Sequence, residues 1–170
     1  MASAKRNEGC GPPAGRSSPA FLLAQVGAHA ASKFAERLAK LELIPPHAGI
    51  LRVLGSKPGI TQQELANTLE VVPSRLVALI DDIESRALVE RRENPGDRRR
   101  YALHLTSKGQ AALEAIGRIG REHSEALLRA LSEDERRQLA ALLQRIADEQ
   151  GLTRGVHPGL RTPRVNLRNE

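Results

Sequence analysis

Apolar residues recur every three or four positions over most of this chain, a spacing that predicts a mainly helical protein. The first predicted helix begins at Ser18 and Pro19, a side-chain cap followed by the residue best suited to a first helical turn. It continues to about Leu43. Pro46 opens a second predicted helix, which continues to about Leu54.

Two further predicted helices lie close together along the chain. Thr61 and Glu64 have the T-x-x-E spacing of a capping box, and the short helix that they begin ends near Leu69. Pro73 then opens an amphipathic helix that continues to about Arg86. A short helix, a tight turn and a second amphipathic helix form the arrangement of a helix-turn-helix.

The apolar period changes from helical to alternating after this pair. Residues 88–92 predict a strand, and residues 100–105 alternate apolar and polar positions as a half-buried strand does. The turn sequence NPGD at 94–97 joins the two strands into a hairpin. Two long helices, 106–131 and 132–150, complete the predicted order.

The predicted fold class is mainly α with a small β-hairpin wing (α+β), a winged helix-turn-helix with six main helices. The long terminal helices extend beyond a small winged-helix lobe, so their apolar stripes need another surface, and dimerisation is the favoured use. The predicted division of the chain is a disordered tail at 1–17, a winged-helix domain at 18–150 with dimerisation helices at 18–43 and 106–150 and a DNA-binding lobe at 46–105, and a basic flexible tail at 151–170.

Charge and composition narrow the class of partner. The 170 residues carry a formal net charge of +6, which suits nucleic acid, an anionic membrane or an acidic protein. No apolar run reaches the ~18–20 residues that cross a bilayer, and the N-terminal sequence lacks the apolar core of a signal peptide. One cysteine allows no internal disulfide. We therefore expect a cytoplasmic protein with no membrane partner.

Arginines lie on both sides of the NPGD turn, where they repel one another. A run of like charges is often only a solvated face, but this run lies on a hairpin that follows a helix-turn-helix. Phosphates between the side chains would relieve the repulsion and release counterions, so contact with double-stranded DNA is the favoured interpretation. The arginines are Arg91, Arg92, Arg98, Arg99 and Arg100.

Residues 61–109 resemble the MarR family (multiple antibiotic resistance regulators). The resemblance rests on TQQELANTL, RLVALIDDIESRALVERR and NPGDRRRYALHLTSKG. The family's wing pattern is close to N-P-x-D-x-R followed by L-T-x-x-G. It is matched by Asn94, Pro95, Asp97, Arg99, Leu105, Thr106 and Gly109. The flanking helices fit the family's layout over about residues 19–150.

The resemblance implies an interlocked homodimer that binds a pseudopalindromic operator, in most cases as a bacterial repressor that a small molecule can release. In the wing, Arg99 would insert into the minor groove and Asp97 would hold it in position. The chain departs from the family pattern around the recognition helix. These positions are Val72, Arg75, Val77, Ala78 and Ala87.

The expected DNA contacts come from the N-terminal parts of both helices of the helix-turn-helix and from the wing. Arg75, near the start of the recognition helix, is the expected guanine contact, which discriminates by roughly 1–3 kcal/mol. The full expected set is Thr61, Gln62, Pro73, Ser74, Arg75, Ala78, Arg98, Arg99 and Arg100, with Asp97 as the wing-positioning residue.

An effector pocket is expected where relatives line one, between the first two helices and the DNA-binding lobe. Phe34, Arg37 and His47 could face it, and a small anionic or phenolic molecule would suit them. Cys10 lies in a Gly/Pro-rich tail without the features of a redox-sensing thiol. The histidine spacings match no metal site, so no metal and no cofactor are expected.

Two other function classes compete with a sequence-specific regulator. A sequence-tolerant architectural DNA binder would draw most of its affinity from the basic tails and wings, and Arg75 would barely matter to it. An enzyme is not expected, because the sequence offers no nucleophile–base set and no phosphate-cradling glycine loop.

Overall fold

The computed structural model of the protein describes residues 17–93, 101–153, 155 and 156. Within these ranges the predicted order of six helices and one hairpin is confirmed. The elements are α1 (Pro19–Ala39), α2 (Pro45–Ser56), α3 (Gln62–Leu69), α4 (Pro73–Ser85), β1 (Val89–Glu93), β2 (Tyr101–Leu105), α5 (Ser107–Leu127) and α6 (Glu133–Glu149).

The ends of the long helices differ from the prediction because tertiary contacts complete them earlier. α1 stops at Ala39 instead of near Leu43. Glu42 takes a left-handed backbone with φ of 56°, and the N–H of Leu43 donates to the carbonyl of Leu38, as in a Schellman motif. The turn buries both leucines, so the chain changes direction to complete the core.

α5 likewise ends at Leu127, about one turn before the predicted limit. Nε of Arg136, a residue of α6, lies 3.1 Å from the carbonyl oxygen of Leu128 and 3.0 Å from that of Leu131. The guanidinium thus satisfies carbonyls that a helix end leaves without intrahelical partners. α2 shows the opposite difference, since it continues through Gly55 to Ser56.

One apolar core holds the helix-turn-helix and the wing together. It receives fully buried side chains from every element between α1 and β2, and each such side chain contributes roughly 1.5–3 kcal/mol by its burial. The largest are Leu38, Ile50, Leu51, Leu54, Leu65, Leu69, Leu76, Ile80, Ile83, Val89 and Leu103.

The wing is a two-stranded antiparallel hairpin joined to the segment before α3. Val89 pairs with Leu105 and Glu93 with Tyr101, which fixes the register. Leu103 also exchanges backbone hydrogen bonds with this segment: its carbonyl accepts from Gly59 and its N–H donates to Ile60, both at 3.0 Å. The hairpin is therefore held by backbone hydrogen bonds to the segment before α3 and by its buried side chains in the core.

The start of α5 lies directly against the start of β1. The hydroxyl of Thr106 donates to the carbonyl of Ala87 at 2.7 Å and accepts from the N–H of Gly109 at 3.0 Å. A Cβ on Gly109 would lie only 1.9 Å from the carbonyl oxygen of Leu88. The Thr-x-x-Gly spacing therefore allows the helix and the strand to approach each other at this point.

The outer helices expose large apolar side chains. No residue of α6 is buried, and α6 leaves Leu142, Leu143 and Ile146 39–53% exposed. The first two turns of α1 expose Phe21 and Val26 by 50% or more. Such a broad apolar surface indicates a protein–protein interface.

Candidate nucleic-acid interface

The N-terminal half of α4 presents the predicted recognition surface. α4 buries Leu76, Ile80 and Ile83 in the core. This anchoring turns the opposite face outward, and the recognition residues predicted from the sequence are exposed on it together. They are Pro73, Ser74, Arg75 and Ala78.

The N-terminus of α4 is itself suited to an anion. Val72 occupies the cap position, and its side chain makes no capping hydrogen bond to the first turn. Backbone N–H groups at an uncapped helix start can donate to a phosphate, and the helix dipole favours the negative charge there. Valine at the cap position contributes no side-chain acceptor to these backbone groups.

α3 is capped from within the chain. The Glu64 carboxylate lies 2.8 Å from the Thr61 backbone nitrogen and 2.7 Å from the Thr61 hydroxyl, which completes the predicted capping box. Thr61 is 7% exposed, so its hydroxyl is committed to the cap, whereas Gln62 is half-buried. Contact of either residue with DNA stays a prediction.

Two of the wing arginines find their negative partners within the chain. The guanidinium of Arg91 on β1 is ion-paired with both Asp81 and Glu84 of α4. Arg92 pairs with Glu90 of its own strand. The expectation that the negative charge must come from outside the chain is therefore wrong for Arg91 and Arg92, because sequence order did not show which carboxylates face them.

The tip of the wing lies outside the described residues, so the roles expected for its residues stay predictions. They concern Asp97, Arg98, Arg99 and Arg100. The described strands run directly toward this segment, with Glu93 and Tyr101 as the last described pair.

His47 lies against the recognition helix and is not among the cavity-lining residues. It is 2% exposed, and its Nε2 lies 3.2 Å from Oδ2 of Asp82 on α4, although neither ring nitrogen makes an aligned hydrogen bond. Asp82 also accepts from Nε of Arg86 at 3.1 Å, and Arg86 donates to the carbonyl of Glu42. A polar bridge thus joins the loop after α1 to the C-terminal half of α4.

Burial sets the protonation preference of this histidine. It lowers the pKa of His47 below the ordinary value of 6.5, Asp82 acts in the opposite direction, and the charge of Arg86 adds to the lowering. The lowered pKa favours the neutral form of the His47 imidazole beside Asp82.

A separate apolar cavity lies between α1, α2 and α5. It encloses about 340 Å³ and is lined by Phe34, Pro45, Ala48, Gly49, Arg52, Ile116, Gly155 and Val156. Phe34 occupies the place that the sequence predicted. Arg37 does not line the cavity, since its guanidinium lies 3.9 Å from the Glu122 carboxylate of α5.

Arg52 is the charged residue of the cavity lining, and sequence reasoning missed it. Pro45, Ala48, Gly49 and Arg52 are spaced three or four residues apart, so they share one face of α2. That spacing was visible in the sequence. Arg52 brings a positive charge to an otherwise apolar lining, a combination that suits a small anionic molecule with an apolar body.

A larger groove, about 530 Å³, lies on the surface between α3 and the loop before it. Its lining includes Lys57, Glu64, Asn67 and Thr68. It is polar and lies on the outside of the DNA-binding lobe, so the smaller apolar cavity is the better candidate for an effector. Among the described residues, no cluster of His, Cys, Asp and Glu could hold a metal ion, and no helix is long and apolar enough to cross a membrane.

Known proteins share both the sequence and the fold. A model of the MarR family matches residues 41–100. Transcriptional regulator HosA of Escherichia coli O111:H- is 30% identical over 105 residues, which cover 62% of this chain and 78% of HosA. A candidate transcriptional regulatory protein for the hcr operon of Thauera aromatica is 34% identical over 115 residues, covering 67% of this chain and 69% of that protein.

Two solved structures with DNA have the same fold. The transcriptional repressor CouR, bound to a 23-mer DNA duplex, is 31% identical with a TM-score of 0.68, covering 76% of this chain and 92% of CouR. A mutant MarR from E. coli complexed with operator DNA is 27% identical with a TM-score of 0.65, covering 75% of this chain and 91% of that one.

The fold and the exposed face of α4 define a winged-helix DNA-binding protein. The chain belongs to the MarR family of transcriptional regulators. Regulators of this family are dimers, which accounts for the exposed apolar surfaces of α1 and α6.

Proposed function

We propose that the protein represses transcription as a homodimer that binds one pseudopalindromic operator. The observation that carries the proposal is the exposed N-terminal face of α4, with Pro73, Ser74, Arg75 and Ala78 held on a fully packed lobe beside the wing. Two such helices related by a two-fold axis would enter successive major grooves, with half-sites about one helical turn, ~10 bp, apart.

Arg75 carries the sequence preference in this proposal. It is exposed in the first turn of α4, where recognition helices contact base edges. A guanidinium can donate two hydrogen bonds to O6 and N7 of one guanine. The uncapped first turn of α4 would hold a neighbouring phosphate and so fix the register of that contact.

A small anionic molecule in the cavity of about 340 Å³ would release the operator. The cavity lies between the helices that connect the two lobes of the dimer and the helix-turn-helix itself. A ligand changes DNA affinity only if it binds the two arrangements of the lobes with different affinity. Regulation of this kind requires binding alone, without turnover of the ligand.

The first experiment is fluorescence-anisotropy titration of DNA from upstream of the protein's own gene, with a shuffled duplex of the same composition as competitor. Wild type, Arg75→Ala and Arg99→Ala would be compared at several salt concentrations. Arg129→Ala is the matched control, because this arginine is exposed beyond α5, far along the chain from the helix-turn-helix.

The proposal expects wild type to prefer the upstream DNA and Arg75→Ala to lose that preference, with a cost of roughly 1–3 kcal/mol. Arg99→Ala should weaken binding to both duplexes, and Arg129→Ala should match wild type. Equal binding of wild type to both duplexes, together with no effect of Arg75→Ala on any genomic sequence selected by the protein, would favour the architectural alternative.

A further inference from the structure

The chain turns back onto the DNA-binding lobe after α6. Gly151 ends the helix with φ of 63°, and the N–H of Leu152 donates to the carbonyl of Ala147 at 2.9 Å. The hydroxyl of Thr153 then donates to the carboxylate of Glu70. Residues 152, 153, 155 and 156 are called the C-terminal strap below.

The far end of the strap forms a wall of the apolar cavity. Gly155 and Val156 line it together with Phe34, and Val156 packs against the hydrophobic core. Gly155 has φ of 74°, and a Cβ on it would lie 3.0 Å from Nη2 of Arg52. The strap therefore lines the cavity beside Arg52, the one cationic lining residue among the described residues.

The near end of the strap holds the turn of the helix-turn-helix. Glu70 is the residue that ends α3, in a left-handed conformation with φ of 53°. Only Val71 and Val72 separate it from Pro73, the first residue of the recognition helix. One short segment thus contacts the cavity and the turn that orients α4, with Thr153 and Val156 joined by a backbone hydrogen bond of 3.3 Å.

We propose that the C-terminal strap is a latch that couples the cavity to the recognition helix. A ligand that presses on the Val156 wall of the cavity and moves it outward would carry Thr153 away from Glu70. The turn before α4 then loses this hydrogen bond to the segment that follows α6. The ligand class is a small aromatic molecule with one negative charge, since Arg52 is the only charged residue that lines the cavity within the described part of the chain.

The coupling is reciprocal by thermodynamic linkage. If an open latch favours the ligand and a closed latch favours DNA, then any change that loosens the latch raises ligand affinity and lowers operator affinity together. The predicted change in operator affinity rests on the proposed function, whereas the predicted change in ligand affinity does not. The two can therefore be tested separately on the same proteins.

The test uses the full chain and the fluorescent aromatic anion 1-anilinonaphthalene-8-sulfonate as the probe. Thr153→Val removes the hydroxyl that reaches Glu70 but leaves the cavity lining unchanged. Val156→Ala thins the cavity wall. Leu152→Ala is the matched control, because this side chain is 50% exposed and does not line the cavity.

Both Thr153→Val and Val156→Ala are expected to bind the probe about fivefold or more tightly than wild type, the lower end of common coupling factors. Leu152→Ala should stay within about twofold, and circular dichroism should show the same helix content in all four proteins. If the strap were only a wall of the cavity, with no coupling to Glu70, Val156→Ala alone would change the affinity for the probe. Probe affinity of Thr153→Val equal to that of wild type, or no saturable binding by any of the proteins, would overturn the latch.

Operator affinity is the second readout. Thr153→Val without the probe should bind operator as weakly as wild type saturated with the probe, and the probe should then weaken its binding no further. If Thr153→Val keeps full operator affinity and full sensitivity to the probe, the coupling is disproved. Absence of operator binding by all four proteins would reject the proposed function and leave the probe result to decide the latch.

Discussion

Arg91 of β1 is ion-paired with Asp81 of α4, so the wing strand is bound to the outer side of the recognition helix. Glu84, one turn further along α4, pairs with the same guanidinium. Arg91 is only 23% exposed, which weakens solvent screening of these pairs. The contact fixes the angle between the wing strand and α4, the two elements proposed to contact DNA, and it is present without DNA.

Replacement of Arg91 by alanine should weaken operator binding without changing its salt dependence. The loss of both ion pairs should destabilise the fold by about 1–2 kcal/mol, between the values for exposed and buried pairs. A residue that contacts a phosphate behaves differently, because each lost contact reduces the slope of log K against log salt by about 0.9. Anisotropy titrations from 50 to 300 mM salt separate the two roles. A reduced slope for Arg91→Ala would contradict the positioning role.

Arg92→Ala is the matched control for that measurement. Arg92 pairs only with Glu90 of its own strand among the contacts described, and its side chain is 59% exposed. The pair should contribute less than about 1 kcal/mol to stability, as exposed pairs do. A loss in unfolding free energy as large as that of Arg91→Ala would show that the link to α4 is not what distinguishes Arg91.

Ala87→Gly should stabilise the protein. Ala87 has φ of 57° in the turn between α4 and β1, where a Cβ costs roughly 1–2 kcal/mol. Glycine avoids this strain but gives up about 0.5–1 kcal/mol through the greater freedom of the unfolded chain, which leaves a net gain of about 0.5–1 kcal/mol. Denaturant unfolding at fixed protein concentration measures it. Ala111→Gly, within α5, should lower stability by about 1 kcal/mol, and a loss in both variants would refute the strain at Ala87.

Gly109→Ala should destabilise the junction between β1 and α5. The added Cβ would meet the carbonyl oxygen of Leu88 at 1.9 Å, and backbone on both sides must move to relieve the clash. Overpacking of this kind costs about 1–3 kcal/mol. Gly117→Ala adds the same methyl to the same helix, where the nearest atom belongs to the Arg121 side chain at 3.7 Å. Thermal unfolding should show a lower Tm for the first variant only, and equal Tm values would disprove the role of the close approach.

His47 should make stability depend on pH between its two pKa values. The pKa in the folded protein lies below the ordinary 6.5, so the unfolded chain binds the proton more readily. The contribution of His47 is therefore fully present above about pH 6.5 and is lost as pH falls through the folded-state pKa. His47→Gln should flatten the profile of unfolding free energy between pH 5 and 7. His29→Gln removes an exposed histidine of α1 instead, and a similar flattening there would argue against burial as the cause.

The sequence alone predicted features that depend on residues within one helical turn of each other. The capping boxes of Thr61 with Glu64 and of Ser132 with Glu135 follow from spacing alone, and both are present. The exposed face of α4 likewise follows from its apolar period, since Leu76 and Ile80 fix which side is inward. These features require only residues three or four apart.

Contacts between residues of different helices and strands could not be predicted from local sequence patterns. The sequence places Arg91 near a turn, but no pattern of neighbouring residues indicates that Asp81 and Glu84 of α4 face it. His47 was placed toward a ligand because it opens α2, whereas the bend after α1 turns it toward Asp82. The predicted tail begins at residue 151, yet its first described residues contact the lobe through Thr153 and Val156, pairings set by the three-dimensional path of the chain.

The absence of buried residues in α6 makes protein abundance a variable in gene control. A helix that covers its apolar face only with a second copy cannot reach its final packing in a dilute protomer. At concentrations well below the dissociation constant of the dimer, the amount of DNA-competent protein therefore rises with roughly the square of the number of chains made. A cell that doubles synthesis would more than double operator occupancy, and dilution by growth would lift repression more sharply than the loss of molecules alone.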